Sequence, residues 1–237
     1  VCSSDLQIRR DVDASGVMGA MDSFQQKAWD IVSGPEARAA FDLDAEPARI
    51  RERYGFMPEY VAPTPDRCGV PAWSQRMLLA RRLVEAGVRL VTVDLRWWDT
   101  HVKGYETMRD GFLPRWDRAY TALIDDLEQR GMLENTMVIA WGEFGRTPRV
   151  NMGAGRDHWS RVSCALLAGG GMKTGQIIGK TDRQAGEASE RPVHIGEVFS
   201  TLYNRMGIDT QQVTLTDLGG RPQYLVDLEH HPIPELV

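Results

Sequence analysis

The stretch LIDDLEQRGMLENTMVIAWGEFG, residues 123–145, contains the alternation of elements that decides the fold. Its first part continues an apolar helical stripe, and Gly131 follows as a residue typical of a helix end. Met137–Trp141 is short, apolar and bounded by polar residues, which predicts a buried strand. A polar group that includes Glu143 comes directly after this strand. A helix, a strand and a polar turn are therefore expected to follow one another here.

The same alternation extends in both directions along the chain. Helices are predicted over Trp73–Gly87, about Leu113–Gln129 and about Ile195–Met206, each with an apolar stripe. Further buried strands are predicted over residues 88–95 (VRLVTVDL) and 163–171 (SCALLAGGG). Helices that alternate with buried strands are typical of α/β proteins with a doubly wound, mostly parallel sheet. In such sheets ligands bind beyond the carboxyl ends of the strands.

The first 72 residues are more polar and less regular. They predict a helix around Phe24–Ile31, a weaker one within residues 38–54, and a proline-rich loop over residues 61–72. We therefore expect two parts, with residues 1–72 as a helical and loop segment and residues 73–237 as an α/β portion. The chain opens on VCSSDL without a Met, so we expect it to be the C-terminal part of a longer protein.

The composition excludes several classes of protein. The chain has 237 residues, of which 42% are hydrophobic and 26% charged, as in an ordinary globular protein. Its net charge of −5 argues against bulk nucleic-acid binding, which usually requires a basic face. No apolar run reaches the length of about 18 residues that a membrane-spanning helix needs. The three cysteines are scattered, so we expect neither a disulfide scaffold nor a thiolate zinc site.

Three polar clusters follow the predicted strands and carry the candidate chemistry. They are Asp99-Thr100-His101, the group from Glu143 to Arg146, and Arg156-Asp157-His158. Carboxylate and imidazole together suit Zn²⁺ or Mn²⁺, and with more oxygen ligands Ca²⁺ or Mg²⁺. Such a metal acts as a Lewis acid on water or on an ester oxygen. The arginines add planar groups that match phosphate or sulfate oxygens.

Each cluster also has a purely structural interpretation. Arg146 could cap a helix or pair with Glu143, and Asp157-His158 could form a surface turn. His194 precedes a helix and is interpreted as a neighbour of its N-terminus. In this interpretation the carboxylates pair with arginines and no ligand is involved. The three clusters together nevertheless indicate a site more specifically than any one of them.

Several stretches resemble the bacterial domain-of-unknown-function 1501 family, namely LLARRLVEAGVRLVTVD, WDTH, GEFGRTPR, GRDHW and LLAGGGMKTGQIIGKTD. The resemblance extends from about Ser74 to the C-terminus. These proteins are similar to the alkaline phosphatase/sulfatase superfamily, which implies a three-layer, doubly wound sheet of that type, truncated at its N-terminus. The resemblance also implies hydrolysis of a phosphate or sulfate ester with a divalent metal (Zn, Mn or Ca). A small anionic ester or a sulfated glycan would be the ligand, and the location would be periplasmic or exported.

The resemblance further implies roles for single residues. Phe144 stands where the superfamily has a histidine, and Asp157-His158 would supply the replacement. No nucleophile-bearing motif of the family occurs in residues 1–72, so the attacking group is expected upstream and little turnover is expected of this chain alone. The alternative is a non-catalytic polyanion- or carbohydrate-binding module with a degraded metal site. The residues implied are Arg146 and Arg156 for contact with the anion or for orientation of the metal ligands, and Asp99, His101, Glu143, Asp157 and His158 as metal ligands.

Overall fold

The computed structural model describes residues 34–56, 74–95 and 98–237, together with Ser23 and Gln25. These residues belong to two compact units, the first with Ser23, Gln25 and residues 34–56 and 74–94, the second with Leu95 and residues 98–237. The predicted boundary between residues 72 and 73 and the predicted loop over residues 61–72 lie outside the described residues. The same holds for the predicted helix around Phe24–Ile31, apart from Gln25.

The described part of the first unit consists of helices α1 (Pro35–Phe41), α2 (Ala48–Tyr54) and α3 (Ser74–Glu85), with a 3₁₀ turn between the first two. Helix α3 confirms the helix predicted over residues 73–87, and its apolar residues Met77 and Leu78 are buried. Gln75 donates hydrogen bonds to carbonyl oxygens at the end of α2. Because these bonds are largely shielded from water, they join α2 firmly to α3.

One charged residue of α3, Arg81, lies on the buried side of the helix. Its side chain is fully buried, and its Nη2 lies 2.9 Å from Oε1 of Glu46. Arg82 pairs with the same carboxylate. Burial would raise the pKa of Glu46, but hydrogen bonds from both guanidinium groups outweigh burial and lower this pKa. The charged side chain of Arg81 points inward because two carboxylates pair with it, those of Glu46 and Glu85. Helical periodicity cannot show the contact with Glu46, which is distant in sequence.

In the second unit, helix α4 (Gly104–Glu106) continues through a π-helical segment (Thr107–Phe112) into α5 (Leu113–Gln129). Helix α5 has the bounds that the sequence predicted. Pro114 has no N–H group to donate, and the wider π-type hydrogen-bond pattern occurs directly before it. The buried ring of Phe112 packs against Trp98, with their centroids 4.9 Å apart, so the segment before α4 is held against the helix.

The strands of the second unit are short, and those described pair two by two. They are β1 (Met137–Trp141), β2 (Gly145–Arg146), β3 (His158–Trp159), β4 (Ala165–Gly169), β5 (Lys180–Thr181), β6 (Ala188–Glu190), β7 (Thr214–Thr216) and β8 (Pro222–Tyr224). The four pairs are β1–β4, β2–β3, β5–β6 and β7–β8, and each is antiparallel. Strand β1 confirms the strand predicted at Met137–Trp141, and β4 confirms the one predicted within residues 163–171.

Helix α6 (Ile195–Arg205) confirms the third predicted helix and covers the β1–β4 pair. Its Val198 belongs to a buried cluster with residues of the C-terminal tail, and Met137 of β1 and Leu167 of β4 pack against that cluster. These two strand residues lie on one face of the pair, because Ile139, two residues from Met137, is the register partner of Leu167. One apolar cluster of the second unit therefore lies between this face and α6, and α5 carries further buried residues, among them Ala119, Leu123 and Leu127. The other buried members of the cluster are Met172, Ile233 and Leu236.

Helix α6 begins with a capping box. The Nδ1 atom of His194 accepts a hydrogen bond from the N–H of Gly196 (3.1 Å), and the Glu197 carboxylate accepts one from the N–H of His194 (2.8 Å). The ring of His230 stacks on that of His194, with centroids 4.1 Å apart. His194 thus has a definite structural role as the N-cap of α6.

The observed strand pairs differ from the mostly parallel sheet that the sequence predicted, and the doubly wound, three-layer arrangement stays a prediction. Residues 88–95 form no strand, although their sequence is apolar and β-branched, and Leu90 is 72% exposed. A strand is stabilised by a partner, and this segment has none in the described part of the chain. None of the described helices has the length and apolar character needed to cross a membrane.

Candidate metal centre

Two clusters that are far apart in sequence meet in the second unit. Asp99 and His101 lie in the segment before α4, while Asp157 and His158 lie at the start of β3. Strand β3 pairs with β2, and this pairing sets Arg146 opposite His158. Residues from all three predicted polar clusters therefore come together at one place.

A backbone clasp, formed by residues 100–104 and 151–156, holds the two segments together. Gly155 permits their close approach, because a Cβ atom there would lie 2.1 Å from the carbonyl carbon and oxygen of His101. The clasp fixes the backbone of His101 relative to Asp157 and His158. Three N–H groups donate to carbonyl oxygens across it at 2.8 to 3.0 Å, from Lys103 to Gly153, from Gly104 to Ala154 and from Arg156 to Thr100.

Three possible ligand atoms converge beside the clasp, namely Oδ1 of Asp99 and the Nε2 atoms of His101 and His158. The Asp99 oxygen lies 2.9 Å from each nitrogen, and the two nitrogens lie 3.0 Å apart. Around a metal with bonds of about 2.1 Å, adjacent ligands are about 3.0 Å apart at octahedral angles and about 3.4 Å apart at tetrahedral ones. The three atoms therefore fit neighbouring corners of a divalent-metal site. Their side chains are 37% to 58% exposed, so a solute can reach them.

Asp157 holds the other ring nitrogen of His101. The distance from Nδ1 to Oδ1 of Asp157 is 2.8 Å. An ionised carboxylate only accepts hydrogen bonds, so Nδ1 is the donor to Asp157, and Nε2 is the nitrogen that a metal beside Asp99 and His158 would bind. Asp157, predicted as a metal ligand, thus contacts the imidazole from outside the group of three. A carboxylate behind a histidine in this way is typical of metal sites.

The turn between β1 and β2 supports the site without adding a ligand atom to the group. Glu143 is exposed, lies outside the group of three, and its carboxylate forms no hydrogen bond or ion pair within the described residues. The ring of Phe144 packs against His158, with centroids 4.4 Å apart. The His101 ring lies 4.8 Å from the same imidazole. His158 is therefore held by two rings as well as by Asp99.

The two arginines predicted to bind an anion direct N–H groups to the protein itself. Arg146 Nη1 lies 2.8 Å from Oδ1 of Asp99, and its Nη2 donates to the carbonyl oxygen of Trp98 at 3.1 Å. Arg156 donates to the carbonyl oxygens of Thr147 and Pro148 and, at 2.6 Å, to the hydroxyl of Tyr105. Both guanidinium groups thus stabilise the loops that form the site.

Both carboxylates of the site are held in their charged form. Burial of Asp99 would raise its pKa, but hydrogen bonds from His158 and Arg146, with the positive charge of Arg146, bring that pKa below its ordinary value. The pKa of Asp157 is lowered mainly by hydrogen bonds from His101 and Asn151. The site therefore presents ionised oxygen atoms at neutral pH, as a divalent cation requires.

Asn151 is the residue that sequence reasoning missed. Its Nδ2 donates to the carbonyl oxygen of His101 and to Oδ1 of Asp157, both at 3.0 Å. Its Oδ1 accepts from the N–H groups of Gly153 (2.9 Å) and Gly155 (3.0 Å). The one signal in the sequence is the stretch NMGAG, where an asparagine before two glycines is typical of a turn.

A comparison with protein families gives one match. The family described as "Protein of unknown function (DUF1501)" matches residues 6–237. No curated protein and no solved structure matches the chain. The family match begins well ahead of Ser74 and includes every residue of the candidate metal centre.

Proposed function

Because the chain belongs to the DUF1501 family, whose description names no activity, we propose a function from the metal centre itself. We propose that Asp99, His101 and His158 hold a divalent metal ion that acts on a phosphate or sulfate ester. Membership of the alkaline phosphatase/sulfatase superfamily and a periplasmic or exported location belong to the same proposal. The observation that carries it is the convergence of three ligand atoms within 3.0 Å of one another.

The ligand set favours zinc, with manganese as the next choice. Two of the three atoms are imidazole nitrogens, which suit Zn²⁺ far better than Ca²⁺. Calcium would require about three to five further oxygen ligands, whereas zinc requires one more ligand to become tetrahedral. Three protein ligands with one open position are typical of catalytic zinc sites.

A metal bound here would supply Lewis-acid polarisation of an ester oxygen or of water. The residues of the chain then determine how the three ligand side chains are oriented. Asp157 accepts a hydrogen bond from Nδ1 of His101, so the opposite nitrogen is the one that the metal would bind. Arg146 holds Asp99 and leaves a positive charge beside it, which complements an anionic ester. Phe144 keeps the His158 ring in place through packing.

A non-catalytic module for polyanions or carbohydrates is the second candidate. It is favoured by the contacts of Arg146 and Arg156, whose N–H groups bind Asp99 and loop carbonyl oxygens. Such a module would hold an anion at the metal and leave its ester bond intact. The attacking group is assigned to no residue of this chain in either candidate.

Metal uptake tests the proposal. The purified chain is stripped with a chelator, incubated with zinc or manganese, dialysed and measured by elemental analysis. We expect near-stoichiometric metal in the wild type and its loss in His101→Ala and His158→Ala. His231→Ala is the matched control, because His231 is an exposed histidine of the C-terminal tail. Metal content equal in the wild type and in His101→Ala would contradict the proposal and leave Asp99 as a plain ion-pair partner of Arg146.

Calorimetric measurement of the binding of inorganic phosphate and of inorganic sulfate tests the substrate class. We expect the metal-loaded chain to bind these tetrahedral anions and the stripped chain to bind them more weakly, because the metal provides the main positive charge. A loaded chain that binds them but cleaves neither p-nitrophenyl phosphate nor p-nitrophenyl sulfate would favour the binding module. A loaded chain with no affinity for either anion would contradict both candidates.

A further inference from the structure

We propose that the stacked imidazoles of His194 and His230 form a proton-sensitive latch, which holds the C-terminal tail (residues 226–237) on helix α6 at neutral pH and releases it in mild acid. Neither histidine belongs to the candidate metal centre. The proposal is therefore independent of the proposed function, and it can be tested on the metal-free chain.

The two rings of the latch are packed onto the first turn of α6. Their centroids are 4.1 Å apart and their planes differ by 17°. The His230 ring also lies directly against Gly196, where a Cβ atom would be 2.2 Å from it. The His230 side chain is only 15% exposed. The start of α6 and the tail are thus joined through these rings.

Beyond the latch, the tail covers the buried side of α6. Ser200 Oγ donates to the carbonyl oxygen of His230 at 2.9 Å, and the N–H of Ile233 donates to Thr201 Oγ1 at 2.8 Å. Ile233 and Leu236 are buried in the apolar cluster between α6 and the β1–β4 pair. Release of the tail would therefore expose apolar side chains that are buried at neutral pH.

The hydrogen bond that caps α6 requires a neutral His194. The N–H of Gly196 can only donate, so Nδ1 of His194 accepts in this 3.1 Å contact. An imidazolium ion carries a proton on both nitrogens and accepts no hydrogen bond. A protonated His194 would also place a positive charge at the positive end of the helix dipole. His194 is exposed, so protons from solvent reach it, and the released form, which binds more protons, is favoured as the pH falls.

The charged groups on the α6 side of the latch largely balance one another. The Glu197 carboxylate accepts from the backbone N–H of His194 and also pairs with Arg191 at 2.9 Å. The same guanidinium group pairs with Glu235 of the tail. Arg191 offsets the attraction of both carboxylates for a proton on the latch, so they do not compensate for the lost cap.

The charged groups on the tail side favour a proton without replacing the acceptor. Glu229 lies 3.7 Å from Nε2 of His230, but its side chain is 80% exposed and its attraction is screened by water. Asp227, which is exposed, and Tyr224 line the same cavity as the two rings. None of these groups accepts the N–H of Gly196 in place of Nδ1, so protonation still weakens the latch.

Amide hydrogen exchange of Ile233, measured by NMR on the metal-free chain at about pH 7.5 and about pH 5, tests the latch across the range where histidine titrates. Protection is expressed relative to an unstructured chain at the same pH. We expect wild-type protection to fall by about 10-fold, the combined effect of a lost cap and a charge at the helix N-terminus. The amide of buried Leu127 in α5 should keep its protection.

His194→Asn separates protonation from capping, because its amide oxygen caps a helix and does not titrate in this range. We expect no fall in Ile233 protection in this variant. His231→Asn is the matched control, since this exposed neighbour on the tail is outside the latch, and it should behave as the wild type.

An equal fall in the wild type and in His194→Asn would overturn the proposal, as would a wild type without any fall. A fall that Leu127 shares would also overturn it, because the whole unit would then open. His194→Ser supplies a second cap that does not titrate. Loss of folding in both variants would contradict the proposal, since an oxygen acceptor would then not replace Nδ1.

Discussion

One added methyl group tests whether the backbone clasp governs the metal centre. Gly155 is buried, and its φ lies outside the left-handed region, so alanine is conformationally allowed and the perturbation is steric. In Gly155→Ala the new Cβ atom would lie 2.1 Å from the carbonyl carbon and oxygen of His101 and 2.5 Å from the carbonyl oxygen of Thr100. All three are backbone atoms, so no side-chain rotation relieves the contact.

The size of the effect follows from these distances. Non-bonded carbon atoms are at their optimum about 3.5 Å apart, so the His101 backbone has to move by about 1 Å or more. Metal–ligand bonds tolerate deviations of about 0.2 Å, so the Nε2 atom of His101 cannot keep its place beside Asp99 and His158. We expect zinc affinity to fall by about 100-fold. The metal-free chain should lose about 1 to 3 kcal/mol of unfolding free energy, as for other overpacked sites.

Calorimetric titration with zinc measures the affinity, and urea unfolding measures the stability. Gly142→Ala is the control, because its Cβ atom would meet only ordinary contact, with the Phe144 carbonyl oxygen at 3.8 Å. Zinc affinity in Gly155→Ala equal to that of the wild type would refute the reasoning, since the clasp would then not determine where His101 lies.

Three further substitutions test a buried ion pair, the carboxylates of the candidate metal centre and the cap of α6. Glu46→Gln removes the carboxylate that Arg81 and Arg82 share, while Glu85 stays beside Arg81, so we expect about 3 kcal/mol less unfolding free energy in urea, the lower end for a broken buried pair. The folded-state pKa values of Asp99 and Asp157 lie below the ordinary value of 3.8, so their ionised forms stabilise the folded chain fully above pH 3.8. This stabilisation is lost as the pH falls through the folded-state pKa values. The stability difference between wild type and Asp99→Asn should therefore shrink in strong acid, and a constant difference in urea unfolding would contradict this. His194→Ala removes the N-cap acceptor of α6 and should lower stability by about 1 kcal/mol, seen as a lower thermal midpoint.

The helices could be predicted because a helix is specified by residues close in sequence. The apolar stripes of α3, α5 and α6 are local, and the glycines after them, Gly87, Gly131 and Gly207, all adopt positive φ. The segment 88–95 shows the limit of this reasoning, since a strand also needs a partner that periodicity cannot supply. Arg81 shows the same limit for burial.

The site could be predicted as a set of residue types but not as a geometry. WDTH and GRDH contain the aspartates and histidines that meet, yet spacing does not reveal that Asp157 binds the His101 ring while Asp99 faces the ligand position. These roles depend on the backbone clasp, whose two segments are about fifty residues apart in sequence. The role of Asn151 could not be predicted, because a polar residue among glycines has the same pattern as a common turn.

His101 and His158 are 57 positions apart in sequence but meet in the folded chain, and this contact bears on the stability of the protein in the cell. An ion held by both would act as a removable cross-link across the part of the chain that contains α5 and β1, and it would stabilise the folded state because the unfolded chain holds no preformed site. Mass action then ties persistence of the folded protein to the free concentration of that ion. Metal starvation would then shorten the lifetime of the folded protein.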